Sequence, residues 1–338
     1  MSDEVQALTC SSLITHHASL FMRLFHGTDN ADIARPTVLT LGVFDGLHLG
    51  HQAIMRTVVE RARAVAASST VLTFEPHPRA VLHPESAPPL LQTFDQKIEA
   101  LGVLDIEQTI VIHFDKSFAQ IRAEDFLREI VAERLHAQEV YLGRGFAFGH
   151  NREGNIELLR AISKDLGFFA DEVPEVRLRG QRISSSRIRE LLLQGRVNLA
   201  RRMLGRPYGV EGRVVRGAER GVKLGFPTAN IHPQNRVIPR GGVYVTAALT
   251  DGQWRRSVTN IGTRPTFDDA TETSVETHVM NWSGDLYSDV VRVRFLHRLR
   301  AEKKFNSIHE LKFQIERDVA RTQTYFERAG VRKELSVI

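Results

Sequence analysis

Two histidines, His48 and His51, stand three residues apart in the segment Gly42-Val-Phe-Asp-Gly-Leu-His-Leu-Gly-His51. A β-branched apolar run precedes the segment and helical spacing follows it, which marks a strand end and a helix start. Free backbone N–H groups and the helix dipole suit that place to an anion. Gly46 and Gly50 permit close backbone approach, and both imidazoles can face the same phosphates. There they could stabilise charge growing on a pyrophosphate leaving group. Two incidental histidines at a helix start are the plainer alternative. Zinc is a weaker one, because the nearest further ligands, Asp45 and His77, give no known metal spacing.

A second anion site is suggested by Ile183-Ser-Ser-Ser-Arg-Ile-Arg189, which precedes an apolar helical run. The hydroxyls of Ser184, Ser185 and Ser186 and the guanidinium of Arg189 suit phosphate at a helix start. A serine-rich N-cap on a basic surface would read the same way. In Phe74-Glu-Pro-His-Pro78, two prolines hold His77 rigidly at a predicted strand end, although a simple turn would also fit. Phe94-Asp-Gln-Lys97 and the stretch from Gly143 to Gly154 also follow predicted sheet elements.

The second half carries different chemistry. The chain has no Gly-Lys pair and so no Walker A loop. In Leu224-Gly-Phe-Pro-Thr-Ala-Asn230, the Thr228 hydroxyl and the Asn230 carbonyl are oxygen donors that suit Mg²⁺; a plain turn is the alternative. Glu276 lies in Thr273-Ser-Val-Glu-Thr-His-Val-Met280. Strand alternation puts Val275, Thr277 and Val279 on one face and Glu276, His278 and Met280 on the other. A carboxylate directed into a barrel mouth could take a proton from an attacking hydroxyl. An outward, solvated carboxylate is the alternative.

These groups need positioning elements. Strands are expected at Thr37–Val43, Thr70–Phe74, Thr109–His113 and Glu139–Gly143. Helices are expected from Ile54 to Val65 and at Thr93–Leu104, Ala123–Leu135 and Asn155–Leu166. Strands alternating with helices predict a parallel sheet with helices on both faces and ligands beyond the carboxyl ends of its strands. Past Gly205 the pattern changes to short strands at Gly209–Val215, Gly242–Leu249, Arg255–Ile261, Thr273–Trp282 and Val290–Phe295, as in an antiparallel barrel. A closing helix is expected at Ser307–Arg328, capped by Ser307 with Glu310 completing a capping box. Its stripe of Ile308, Leu311, Ile315 and Val319 is expected to pack on the barrel. The expected domains are 22–200 and 206–338, after a loose extension at 1–21.

The 338 residues are 42% hydrophobic and 25% charged, ordinary for a globular protein of two domains. No apolar run approaches a membrane span. No secretory signal is recognisable, and the lone Cys10 excludes an internal disulfide, so a cytoplasmic protein is expected. The net charge of +5 is scattered. A nucleic-acid-binding barrel would need exposed aromatics among Lys and Arg, and Tyr244, Trp254 and Trp282 are too sparse for that. No nucleic acid or membrane partner is expected, and oligomeric state stays open.

Taken together, these motifs resemble the bacterial bifunctional riboflavin kinase/FAD synthetase family. The resemblance rests on Gly-x-Phe-Asp-Gly-x-His-x-Gly-His at 42–51, Phe-Glu-Pro-His-Pro at 74–78 and Phe-Asp-x-Lys at 94–97 in the first half. In the second it rests on Gly-Phe-Pro-Thr-Ala-Asn at 225–230, Asn-Ile-Gly-Thr-Arg-Pro-Thr-Phe at 260–267, Val-Glu-Thr-His at 275–278 and Asp-Leu-Tyr at 285–287. It implies a nucleotidyltransferase-like domain followed by a kinase barrel, with riboflavin, FMN and FAD as substrates and products and Mg²⁺ accompanying ATP. It implies that Glu276 is the base for riboflavin phosphorylation, with Thr228 and Asn230 on the Mg²⁺–nucleotide. In FMN adenylylation, His48, His51, Ser184, Ser185 and Arg189 would position and stabilise phosphates. Gly42, Phe44, Asp45, Gly50, Ser186, Gly225 and Pro227 would line ATP, and His77, Phe146 and Arg152 the flavin. Four positions depart from the family pattern. Ser186 stands for a usual Thr, Gly145 for a polar residue, often Asp, Ala147 for a frequent Arg, and Lys223 for a commoner Thr. Gly145 and Ala147 motivate a rival reading, a riboflavin kinase with a degenerate first module.

Overall fold

A computed structural model describes residues 22–28, 36–216, 221, 224–265, 271–284 and 286–328. The expected extension at 1–21, Lys223 and Asp285 lie outside the described residues. The chain divides into two compact units, one through Ile183 and one from Ser184.

The first unit is built on β1 (Arg23–His26), β2 (Thr37–Leu41), β3 (Ser68–Glu75), β4 (Gln108–His113), β5 (Ala137–Gly143) and β6 (Phe169–Val173). The sheet order is β1-β4-β3-β2-β5-β6, and every pairing is parallel. All five residues of β2 are buried, as a strand covered on both faces requires. One core cluster joins the sheet to α1 (Leu49–Ala64) and α3 (Phe94–Val103), through residues such as Met55, Val58 and Leu101. The other joins it to α5 (Ile156–Leu166) and the helical stretch before β5, through Leu159, Phe126 and Leu127. The chain runs outward from β2 through β3 to β4, then returns to lay β5 on the other side of β2. The sheet therefore switches direction between β2 and β5, where open α/β sheets bind ligands.

Three features differ from expectation. β1 and β6 are edge strands that the pattern did not announce; β6 reads Phe-Ala-Asp-Glu-Val, with two acidic residues inside it. The expected helix at Ala123–Leu135 begins as α4 (Ala123–Asp125) and widens into a π-helix at Phe126–Arg134, closed by Leu135 N–H donating to Ile130 C=O. The wider turn brings Phe126, Ile130, Val131 and Leu135 together against the sheet.

The second unit begins with α6 (Ser185–Leu193) and α7 (Val197–Leu204). Six strands follow: β9 (Tyr208–Val215), β10 (Ala229–Pro233), β11 (Gly242–Thr250), β12 (Gln253–Pro265), β13 (Thr271–Val279) and β14 (Val290–Arg300), the numbers β7 and β8 denoting a short hairpin of Arg177–Leu178 and Gln181–Arg182. They form a closed antiparallel barrel in the order β10-β13-β12-β11-β14-β9. Its interior holds a chain of buried hydroxyls: Thr246 bonds Ser257 and Thr259 at 2.8 Å each, and Thr259 bonds Thr277 at 2.9 Å. Each hydroxyl bonds its neighbour, which offsets the cost of taking it out of water.

The closing helix α8 (Ile308–Glu327) packs on β11 and β12, with Phe326 against Val245 and Leu296. Its buried residues are Asp318, Thr322 and Phe326, whereas Ile308 is 74% exposed, so the packed stripe starts a turn later than expected. Buried Asp318 is matched by Arg300, whose Nε donates to it at 2.9 Å. Ser307 caps the helix, but the Glu310 carboxylate accepts from Asn306 N–H at 3.1 Å, one residue before the position a capping box uses.

Candidate active sites

In the first unit, the turn after β2 sits at the switch between β2 and β5. Gly42 N–H continues the sheet by donating to Leu72 C=O at 3.0 Å. Phe44 and Leu47 take positive φ. Gly46 has φ +83°, and a Cβ there would lie 2.6 Å from the Leu91 side chain. Asp45 closes the same contact, its buried carboxylate accepting from Leu91 N–H at 2.9 Å. Asp45, expected along ATP, thus also holds the turn in shape.

His48 is the N-cap of α1. Its Nδ1 accepts from His51 N–H at 3.3 Å. A backbone N–H can only donate, so Nδ1 carries no proton and Nε2 does. The ring folds back over Gly50, where a Cβ would lie 3.1 Å from it. The His51 ring stacks on His48 at 3.7 Å between centroids and meets the edge of Phe44 at 5.3 Å. At its far end α1 is fastened to β5 by Arg61, whose Nε donates to the buried Glu139 carboxylate at 2.8 Å. Arg61 holds that carboxylate below the usual range. Among the described residues no three His, Cys, Asp or Glu side chains gather as a metal site.

Beside this turn lies a narrow cleft of about 20 Å³, lined by Val43, Asp45, Phe74, His77, Phe94 and Lys97 among others. His77 caps α2 (Pro78–Leu82) with Nδ1 accepting from Arg79 N–H at 3.0 Å, so it too presents a protonated Nε2. Lys97 is buried, with Nζ 3.4 Å from Thr73 Oγ1 and 3.9 Å from the Glu75 carboxylate. Burial pushes its ammonium below the usual lysine value, while Glu75 and Asp45 pull it back up. Lys97 is assigned no role by the motif Phe-Asp-x-Lys alone. Its position four residues before the core residue Leu101, on one face of α3, was the available signal.

The loop after β5 is anchored by aromatic rings. Phe74, Phe114, Phe118, Phe126, Phe148 and Phe146 contact one another in succession, from the end of β3 to the loop. Phe148 also exchanges both backbone hydrogen bonds with Gly154, at 3.0 and 2.9 Å. Gly145 N–H donates to Glu172 at 3.1 Å, and Ala147 is half-buried. The two departures from the family pattern therefore lie in a loop tethered on both sides of them. Phe146 is half-buried and Arg152 exposed.

Ser184, Ser185, Ser186 and Arg189 belong to the second compact unit. Ser184 caps α6, accepting from Arg187 N–H at 3.3 Å, and Arg189 is buried.

In the barrel, Asn230 on β10 and Asn260 on β12 both pair in register with Glu276 on β13. Directly paired residues share a face, so Asn230, Glu276 and Asn260 form one row across three strands. That face is the outer one. Val275, Thr277 and Val279 are buried inside, while Glu276 is half-buried. The expected alternation holds, but the expected direction into the barrel mouth is wrong: the interior takes the apolar and hydroxyl residues. The motif at 260–267 alone assigns Asn260 no role; only the strand register reveals it beside Glu276.

Asn230 also lines a cavity of about 220 Å³ with Val215, Pro227, Thr228, Thr277 and Trp282 among others. Rather than forming the plain turn that was the alternative reading, Pro-Thr-Ala-Asn enters a strand at Ala229. Gly225 takes φ +84°, and Phe226 N–H donates to Gly221 C=O at 2.8 Å. His278 Nδ1 lies 2.8 Å from Pro227 C=O, and its ring meets Phe226 edge-on at 5.6 Å.

Comparisons with known proteins also divide the chain in two. The FAD synthetase family matches residues 30–187 and the riboflavin kinase family residues 204–326. The bifunctional riboflavin kinase/FMN adenylyltransferase of Haemophilus influenzae is 38% identical over 307 residues, covering 90% of this chain and 99% of that protein. Its Pseudomonas fluorescens counterpart is 37% identical, covering 85% and 92%. The counterpart from Escherichia coli K12 is 34% identical, covering 90% and 98%. A crystal structure of a Streptococcus pneumoniae chain, described as a macrolide-efflux protein, matches with a TM-score of 0.81 and 29% identity, covering 89% and 98%. Among the described residues no helix is long and apolar enough to cross a membrane.

Proposed function

The chain belongs to the family of bifunctional riboflavin kinase/FMN adenylyltransferases, with a FAD synthetase module followed by a riboflavin kinase module, and we propose how its own residues divide the two reactions. The observation that carries the proposal is the register of Asn230 beside Glu276, with Asn230 and Thr228 lining one cavity.

In the kinase module, ATP occupies that cavity. The Glu276 carboxylate takes the proton of the riboflavin 5′-hydroxyl as its oxygen bonds to the γ-phosphorus, and ADP leaves. Thr228 and Asn230 would hold Mg²⁺ with the nucleotide. Two neutral oxygen donors suit an ion that keeps water and phosphate oxygens as its other ligands. Bound there, it would neutralise charge on the phosphates.

In the synthetase module, an FMN phosphate oxygen bonds to the α-phosphorus of ATP and pyrophosphate leaves. The phosphate is already ionised at neutral pH, so the module needs donors and positioning rather than a base. His48 would offer its Nε2–H at the start of α1, with His51 stacked beside it. Gly42, Phe44, Asp45 and Gly50 would shape the ATP turn. His77, Phe146 and Arg152 would border the flavin, which fits the position of the first of these on the cleft beside Asp45. Ser184, Ser185, Ser186 and Arg189 would bind phosphate; the FAD synthetase match runs through residue 187, which takes in the three serines.

Thr228→Val tests the nucleotide assignment, since it removes the hydroxyl and keeps the shape. It should raise the KM for Mg²⁺–ATP in FMN formation about tenfold, the cost of one charge-assisted contact. An unchanged KM contradicts the assignment.

A further inference from the structure

We propose that His278 is a positioning residue of the kinase site, holding the Pro227–Thr228 peptide in the orientation that presents Thr228 to the nucleotide. The proposal rests on the reading of Thr228 and Asn230 as nucleotide ligands.

His278 stands two residues beyond Glu276 on β13, so it shares the barrel's outer face with it. Ala229 pairs with Thr277 at the start of β10, and one step earlier the chain passes His278. There the His278 Nδ1 lies 2.8 Å from the Pro227 carbonyl oxygen. A carbonyl only accepts, so His278 donates and its Nδ1 carries the proton. The oxygen it holds belongs to the peptide plane that ends at the Thr228 nitrogen, so the bond fixes where the Thr228 side chain begins. The ring edge against Phe226 holds the preceding residue from the same side. Pro227 restricts its own φ, which leaves this peptide plane as the main remaining freedom before Thr228. The bond joins one strand to the loop entering its neighbour, and it lies beside the Glu276–Asn230 row.

The tautomer makes the proposal testable by side-chain shape. Asparagine places an amide N–H near the Nδ1 position of histidine, whereas glutamine places one nearer Nε2. His278→Gln should raise the KM for Mg²⁺–ATP in FMN formation about tenfold with kcat changed much less, as loss of one hydrogen bond predicts. His278→Asn should restore most of that affinity. FMN-to-FAD conversion by both variants should match the parent, which also reports on folding. A His278→Gln enzyme with the parent KM overturns the proposal, as does a His278→Asn enzyme impaired as much as His278→Gln. Thr228→Val is measured alongside. If it raises KM while His278→Gln does not, the inference about His278 fails and the reading of Thr228 stands. If Thr228→Val leaves KM unchanged, that reading fails and the inference fails with it.

Discussion

In the first module the Nδ1 atoms of His48 and His77 accept backbone N–H groups at 3.3 and 3.0 Å, whereas in the second the Nδ1 of His278 lies 2.8 Å from a backbone carbonyl and must donate to it. The difference follows from where each histidine sits. His48 and His77 are N-caps, and a helix start offers only N–H groups to a capping side chain. Capping removes the proton from Nδ1 and leaves a donor at Nε2. His278 lies on a strand beside a loop carbonyl, so its donor faces the protein. The chemistry of the two reactions differs in the same sense. Adenylylation starts from an ionised phosphate and is served by donors. Phosphorylation of a hydroxyl needs a proton acceptor, the role proposed for Glu276 in its row with Asn230 and Asn260.

Replacing one residue in each module would sharpen that contrast. Glu276→Gln should lower FMN formation by about 10²–10⁴-fold, the range for a general base, and leave FMN-to-FAD conversion near its parent rate. Equal loss of both activities would break the separation. His48→Asn keeps an acceptor at the cap of α1 and removes the Nε2 donor. It should slow FAD formation by about 10²–10³-fold with riboflavin phosphorylation retained, by analogy with an oxyanion donor. A variant that still adenylylates at the parent rate would show that His48 serves the helix alone. The smallest effect should come from Gly145→Asp, which restores the residue often found at that position in the family. An exposed polar contact is worth about 1 kcal/mol or less, roughly fivefold, so FAD formation should change by no more than that. A tenfold gain would mean that the loop after β5 limits the first module.

Much of this was legible in the residues. The buried strand β2, the glycine-spaced turn and the helix after it follow from apolar runs and periodicity, and they place His48 and His51 correctly at a helix start. The parallel sheet and the barrel were legible from the change of pattern near Gly205. Edge strands were not, because β1 and β6 carry exposed and charged residues that break alternation. β10 was hidden by the proline that precedes it, and the π-helical turn at Phe126–Arg134 looks like an ordinary helix in sequence. Alternation along β13 sorted Glu276 from Thr277 but could not say which side was the interior. The serine and threonine hydroxyls bond one another inside the barrel, so polarity alone misdirects. Asn260 and His278 needed strand register and loop geometry, which no local pattern carries.

Under the proposed division, one chain holds two separable chemistries, each dependent on its own residues. Mixing the two crippled enzymes checks that separation. Glu276→Gln and His48→Asn are each incubated with riboflavin, ATP and Mg²⁺, alone and together, with FMN and FAD resolved by chromatography. Glu276→Gln alone should give little flavin nucleotide, His48→Asn alone FMN without appreciable FAD, and the mixture FAD, as FMN released by one enzyme is adenylylated by the other. A mixture that makes no more FAD than either variant alone would contradict it.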